Sequence, residues 1–321
     1  MFRVVILGHG EMLANLIAGT LDAKCKIVGV LRYERLKKLD IYSKIKDFVL
    51  PSTEYSYIKS YNLPEIKAKS ANSKKFRKEL LALNPDIVIV GTWPEKIEKA
   101  TIQLPKIAMI NVHPSLLPKY RGPNPYLQTI LHGEKQSGLT FHLMSEKFDE
   151  GPILLQKTIE IKPDDTGKEL KARTVLTARS AVTELLNSLA DDFIIPVVQN
   201  ENNATYFPQI SSEDIMLNFK KDAESLSAHI RSFSPWTKTY FEYKNKFFIP
   251  NPYAIKILDS DNENLTAGMI VDKNDKKSSI TVVCGDKKLL KMEKLKLYGL
   301  FNKIFTKQYI KYFVKKGDFL P

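Results

Sequence analysis

Short apolar runs alternate with amphipathic stretches over the first 110 residues. Val4 to Leu7, Ile27 to Leu31, Ile87 to Val90 and Ile107 to Ile110 are unbroken and too short for helices. Between the first two, Met12 to Leu21 has helical periodicity. Continuous apolar strands separated by helices predict an α/β domain with a mostly parallel sheet covered on both faces. Residues 139 to 145 and 153 to 161 predict two more strands around the turn Phe148-Asp149-Glu150-Gly151-Pro152. Thr166 to Leu189 then predicts a long helix, with Asp164-Asp165-Thr166 as its N-terminal cap.

The pattern changes near residue 190. Asp191-Asp192 and the polar run Gln199 to Asn203 predict a linker over 190 to 206. After a helix from about Ala223 to Phe233 come six short β-like runs: Tyr240 to Tyr243, Phe247 to Ile249, Ala254 to Leu258, Gly268 to Val271, Ile280 to Cys284 and Leu289 to Leu297. That succession predicts a small barrel. The expected domains are therefore 1 to 189 and 207 to 321.

Composition narrows the class. With 43% hydrophobic and 26% charged residues, the chain can bury an ordinary core, which excludes global disorder. No apolar run approaches the roughly 18 residues of a membrane span. Met1-Phe2-Arg3 leads only into Val4 to Leu7, too short for a signal peptide, and Cys25 and Cys284 lie far apart. The expectation is a cytoplasmic protein. The net charge of +13 is unevenly distributed. Lys276 to Lys316 holds 12 basic and 2 acidic residues, Arg32 to Lys46 holds 6 and 2, and Lys67 to Glu79 holds 6 and 1. Such clustering predicts a polyanionic partner.

Three segments could carry chemistry. Gly8-His9-Gly10-Glu11-Met12-Leu13, with Glu34 beyond the second strand, is a partial dinucleotide fingerprint. Leu13 stands where close helix packing wants a small residue, and Glu11 would oppose a pyrophosphate, so the turn reads as structural. Asn111 and His113 are two residues apart at a strand's end, and project alike from it. Four prolines and a glycine follow within a dozen residues and fix an irregular loop around them. Asp149, on another turn, supplies a carboxylate. An amide, an imidazole and a carboxylate can stabilise an oxyanion and manage a proton without a covalent nucleophile. Ser115 lacks a nucleophile elbow. The five histidines show no metal spacing, so no metal is expected.

The stretch Asn111-Val112-His113-Pro114-Ser115-Leu116-Leu117-Pro118-Lys119-Tyr120-Arg121-Gly122 resembles the signature of formyltransferases that use 10-formyltetrahydrofolate. Their Asn-x-His pair is followed, after a similar interval, by an aspartate; from His113 to Asp149 the interval is 36 residues. Gly133 to Thr140 and Phe148 to Leu154 are similar to two further family stretches. Ala204 to Ile210, Ile230 to Trp236, Val283 to Asp286 and Leu289 to Leu297 resemble the branch that formylates methionyl-tRNA, including its C-terminal OB-like barrel. Two turns depart from that branch: Gly8 to Met12 replaces its Gly-Thr-Pro-x-Phe, and Pro123-Asn124-Pro125-Tyr126 replaces two small residues and Pro-Ile.

The resemblance implies a Rossmann-like catalytic domain followed by an OB-like barrel. It also implies formyl transfer to a primary amine by Asn111, His113 and Asp149. It places the folate co-substrate against Trp93, Pro94, Glu95, Lys96, Ile97, Ser115, Leu116, Leu117, Pro118, Phe148, Glu150 and Gly151. For the acceptor it implies Gly10, Arg32, Arg35, Lys37, Lys38, Arg121 and Gly122. The lysine-rich C-terminal region favours methionyl-tRNA as that acceptor. An amino-sugar nucleotide is the alternative. A non-catalytic RNA-binding relative is disfavoured by the joint presence of Asn111, His113 and Asp149.

Overall fold

The computed structural model describes residues 1–33, 52–262, 264–299 and 302–321. They divide into two compact units. The first comprises Met1–Pro125, Gln136–Glu160 and Lys171–Pro208; the second comprises Tyr126–Lys135, Ile161–Leu170 and Gln209–Pro321.

The first unit is built on six strands: β1 (Arg3–Gly8), β2 (Lys26–Arg32), β3 (Ile87–Gly91), β4 (Ala108–His113), β5 (Gln136–Leu143) and β6 (Ile153–Glu160). Their order in the sheet is β2-β1-β3-β4-β5-β6. The pairings β1–β2, β1–β3 and β3–β4 are parallel, whereas β5 runs antiparallel to both neighbours. The four apolar runs of the sequence are thus the parallel strands, buried on both faces. Val4 to Leu7 and Ile87 to Ile89 are fully buried.

Helix α1 (Gly10–Asp22) follows β1, with α2 (Thr53–Ser60), α3 (Lys74–Leu83), α4 (Lys99–Ile102) and α5 (Pro125–Leu131) between later strands. Ser73 caps α3 by accepting from the Phe76 N–H, and Asn84 ends it in a left-handed conformation, φ +47°. The long helix α6 (Gly167–Ala190) packs its Lys171–Ala190 part in this unit through buried Ala178, Val182 and Leu185. There Arg179 forms two hydrogen bonds with Asp22 on α1, at 2.6 and 3.0 Å.

The residues expected as a linker, 190 to 206, belong to this first unit and are tied to it. Val197 exchanges two 2.8 Å backbone hydrogen bonds with Ile153 on β6. Phe193, Ile195 and Val198 stay exposed, because backbone groups make this attachment.

The second unit is antiparallel and β-rich. One sheet has the order β10-β11-β12-β9, from β10 (Ile270–Asn274), β11 (Ser279–Val283), β12 (Leu289–Met292) and β9 (Ile255–Leu258). The other has β13-β8-β7, from β13 (Lys296–Leu297), β8 (Lys246–Ile249) and β7 (Phe241–Tyr243). The expected barrel is hydrogen-bonded as these two sheets. Both contribute to one core, where Phe241 and Phe248 meet Ile270, Ile280, Val282 and Leu290. Helix α7 (Ala223–Ser232), capped by Asp222 on the Ser225 N–H at 2.8 Å, adds Leu226 and Ile230. Helix α8 (Asn302–Tyr312) adds Ile310. No helix among the described residues is long and apolar enough to cross a membrane.

Candidate active site

Asn111 and His113 occupy alternate positions at the C-terminal end of β4, so their side chains leave the same face. Across the sheet, Asn111 lies opposite Val90 on β3 and His142 on β5, and His113 opposite Thr140. Asp149 comes from the turn between β5 and β6. Its φ of +58° is an uncommon conformation for a residue with a Cβ, of the kind held only when the surroundings over-determine it. Gly151 is part of that constraint: a Cβ there would lie 1.7 Å from the Leu143 carbonyl oxygen.

The carboxylate is the hub. Asp149 Oδ1 lies 3.3 Å from His113 Nδ1 and accepts from Asn111 Nδ2 at 3.3 Å. Its Oδ2 accepts from the Gly122 N–H at 3.0 Å. His113 Nε2 is 2.8 Å from the Tyr120 carbonyl oxygen. Both ring nitrogens of His113 thus face oxygens that only accept, and an imidazolium satisfies both. His142 joins the cluster with Nε2 at 3.1 Å from Asn111 Nδ2 and Nδ1 at 2.9 Å from the Leu143 carbonyl oxygen. Donation from Nδ1 leaves Nε2 to accept from the amide. No motif marks His142, since it is a lone histidine inside a strand.

His113, His142 and Asp149 are all buried, so the Asp149 carboxylate interacts with its partners under little solvent screening. Burial alone would raise the Asp149 pKa. The His113 charge and the hydrogen bonds from His113 and Gly122 outweigh it and hold the carboxyl well below the usual range. A folded-state pKa below the ordinary 3.8 means that ionised Asp149 stabilises the fold above that value. That contribution is withdrawn as the pH falls toward the folded pKa. Between about pH 5 and pH 2, wild type is expected to lose more thermal stability than Asp149→Asn. Parallel melting-temperature curves over that window would contradict this.

The segment after residue 196 locks the loop that carries these groups. Gln199 Nε2 donates to the carbonyls of Asp149 and Gly151, both at 2.8 Å. Its Oε1 accepts from Arg121 Nη2 at 2.8 Å, and Arg121 also binds both Glu201 oxygens, at 2.7 and 2.9 Å. The Tyr120 N–H donates to Thr205 Oγ1 at 2.8 Å. Gly122, with φ +106°, passes so near Phe207 that a Cβ would lie 2.2 Å from its carbonyl oxygen. Arg121, expected on the acceptor, is 5% exposed with its guanidinium occupied, and hydrogen bonding to Glu201 raises its pKa. It braces the site. Gly122 likewise aims its N–H at Asp149 and not outward.

Other expected acceptor residues divide. Arg32 is 1% exposed, 2.7 Å from Glu65 and stacked on Tyr55. It is a buried brace as well. Gly10 stands at the start of α1, and its N–H donates to Glu54 at 3.2 Å. Arg35, Lys37 and Lys38 lie outside the described residues.

The residues expected at the folate also divide. Ser115 Oγ donates to the Lys119 carbonyl, and Leu117 takes a Thr140 hydroxyl on its N–H, so both shape the loop from inside. Leu116 packs on Gly138, and Pro118 accepts at its carbonyl from Thr205. Glu95 turns inward to Ser70 and the Ala71 N–H, Ile97 enters the core, and Asn72 holds the Lys96 carbonyl. Pro94 is exposed between them. Trp93 packs edge-on against Tyr33 with centroids 5.6 Å apart. Phe148 is 51% exposed beside Asp149, and Glu150 pairs with Lys147 at 3.2 Å.

In the second unit, an open groove of about 920 Å³ is lined by Lys276, Lys277, Lys294, Lys296 and Lys307, with Glu293 the one acid among its described lining residues. No group of three His, Cys, Asp or Glu residues that could hold a metal occurs among the described residues. Burial, aided by Asp286, pushes the Cys284 thiol up to about 12, which makes it a poor nucleophile.

Residues 2–186 match the family described as formyl transferase, and 209–300 match the formyl transferase C-terminal domain. A methionyl-tRNA formyltransferase of Thermotoga neapolitana is 33% identical over 231 residues, covering 72% of each chain. One of Kosmotoga olearia is 29% identical over 312 residues, covering 95% of this chain and 94% of that one. Among solved structures, the N-formyltransferase of Helicobacter canadensis, in complex with folinic acid and dTDP-3-aminofucose, has the same fold. Its TM-score is 0.68 at 16% identity, over 91% of this chain and 99% of that chain.

Proposed function

Because the chain belongs to the formyl transferase family and is a folate-dependent formyltransferase, we propose that it transfers a formyl group from 10-formyltetrahydrofolate to the α-amine of methionyl-tRNA. The observation that carries this reading is the buried carboxylate of Asp149, held by Asn111 and His113 at one strand's end. The residues present fit a reduced folate. Phe148 offers an exposed aromatic face next to Asp149, and Glu95 fixes the backbone of the loop from Pro94 to Ile97. When bound, the folate supplies the activated formyl group.

Transfer forms a bond from the amine nitrogen to the formyl carbon and breaks the bond from that carbon to N10. Negative charge develops on the formyl oxygen. Asn111 Nδ2 is the donor best suited to meet it, because its 3.3 Å contact with Asp149 is long enough to be exchanged. The His113 imidazolium adds positive charge beside it. Asp149 holds His113 and helps to take the proton leaving the attacking amine, directly or through a water, and that proton passes on to N10 as the bond from the formyl carbon to N10 breaks.

Two observations support tRNA over an amino-sugar nucleotide: the relatives named methionyl-tRNA formyltransferase and the lysine-lined groove. Phosphate contacts release counterions, so binding weakens steeply with salt. Removing Lys294, Lys296 and Lys307 together is expected to weaken methionyl-tRNA binding and to flatten the log–log salt slope by about 1 per lysine lost. Turnover of methionyl-tRNA and of a panel of amino-sugar nucleotides, compared at low and moderate salt, tests the acceptor. Activity confined to a sugar nucleotide would overturn the tRNA reading and leave Asn111, His113 and Asp149 in their roles.

A further inference from the structure

Beside the catalytic cluster, three aromatic side chains meet at the ends of neighbouring strands. His9 follows β1, Tyr33 follows β2 and Trp93 follows β3, and these strands are adjacent in the order β2-β1-β3. The His9 and Tyr33 centroids are 6.5 Å apart, and those of Tyr33 and Trp93 are 5.6 Å apart. Two nitrogens here, His9 Nδ1 and Trp93 Nε1, are buried without a hydrogen-bond partner among the described residues. Buried polar atoms are rarely left so, and each asks what would satisfy it. Next to His9, a Cβ at Gly10 would have no heavy atom of the described residues within 4 Å apart from its chain neighbours. None of the three side chains takes part in the Asn111–His113–Asp149 network.

We propose that His9, Tyr33 and Trp93 form a cup for the purine nucleoside at the acceptor's 3′ end. The inference rests on the methionyl-tRNA reading and locates that substrate's terminal adenosine. Gly8, Gly91 and Val112 lie in one row across β1, β3 and β4. At roughly 4.8 Å per strand, the cup begins one strand from Asn111 and extends about 10 Å to His9 and beyond. An aminoacyl ester and a ribose separate the α-amine from the base, which suits that offset. The chemistry also suits a purine. The indole N–H only donates, His9 Nδ1 can donate or accept, and a purine edge carries ring acceptors and an exocyclic amine. Its faces stack on aromatic rings. Glu11, in the first turn of α1, sets a negative charge at this turn that opposes a phosphate and leaves base and ribose as the part received. In a sugar nucleotide the amine sits on the hexose and the base lies beyond a diphosphate, a poorer match to the offset.

The chain has two tryptophans, so Trp236→Phe leaves Trp93 as the sole indole reporter. Adenosine is expected to quench its emission saturably in the full-length protein, and His9→Ala to abolish the effect. With methionyl-tRNA, Tyr33→Ala should raise KM roughly tenfold, with kcat little changed. An absence of adenosine quenching overturns the cup. So does quenching by folinic acid that adenosine cannot displace, or a loss confined to kcat. Methionyl-tRNA turnover without adenosine quenching removes the cup alone. Adenosine quenching without methionyl-tRNA turnover keeps a nucleoside site and removes the acceptor assignment.

Discussion

Asp149→Asn is expected to lower kcat for formyl transfer roughly 10³-fold while leaving folinic acid affinity within about threefold. The carboxylate accepts from Asn111, His113 and Gly122 at 3.0 to 3.3 Å. An asparagine would turn an NH₂ toward one of these donors and orphan it. It would also remove the negative charge beside His113 and the base that receives the amine's proton. The substitution keeps size and shape, so a purely structural Asp149 would leave kcat nearly intact. Single-turnover rates with calorimetric folate titrations check this, and a loss smaller than about tenfold would contradict the proton-transfer role.

His113→Ala should cost roughly 10²-fold or more in the same rate. The ring is buried between the Tyr120 carbonyl and Asp149, so its removal leaves both without their partner and takes positive charge from beside the developing oxyanion. The carboxylate of Asp149 would then lie in a buried site with less compensation, and its pKa should rise because burial is no longer opposed by His113. The variant's activity should therefore fall off at higher pH values than that of wild type on the acid limb. Near-normal turnover, or an unchanged acid limb, would remove His113 from the mechanism.

The clustering of Asn111, His113 and Asp149 was legible because the spacing of the first two and their proline-rich loop are local properties of the chain. The four parallel strands were legible for the same reason: Val4 to Leu7 and Ile87 to Val90 are apolar at every position, which only a doubly covered sheet requires. An apolar run does not encode direction, so nothing in residues 139 to 145 marked β5 as the strand that reverses. The supporting residues were harder to find. His142 meets Asn111 only through strand pairing. Gln199 and Glu201 sit in a polar stretch that reads as a linker, yet they bridge Asp149 and Arg121 across 50 and 80 residues of chain. Arg121 and Arg32 were expected on the acceptor because the family resemblance implies it. Burial against Glu201 and Glu65 is a tertiary fact that composition does not carry.

The most direct test of the central claim follows a labelled formyl group in a single turnover, with enzyme in excess over 10-formyltetrahydrofolate and methionyl-tRNA present. The account predicts that the label leaves the folate and appears on the methionyl α-amine, in wild type but not at a comparable rate in Asp149→Asn. Label that stays on the folate, or reaches only an amino sugar supplied in competition, would contradict it.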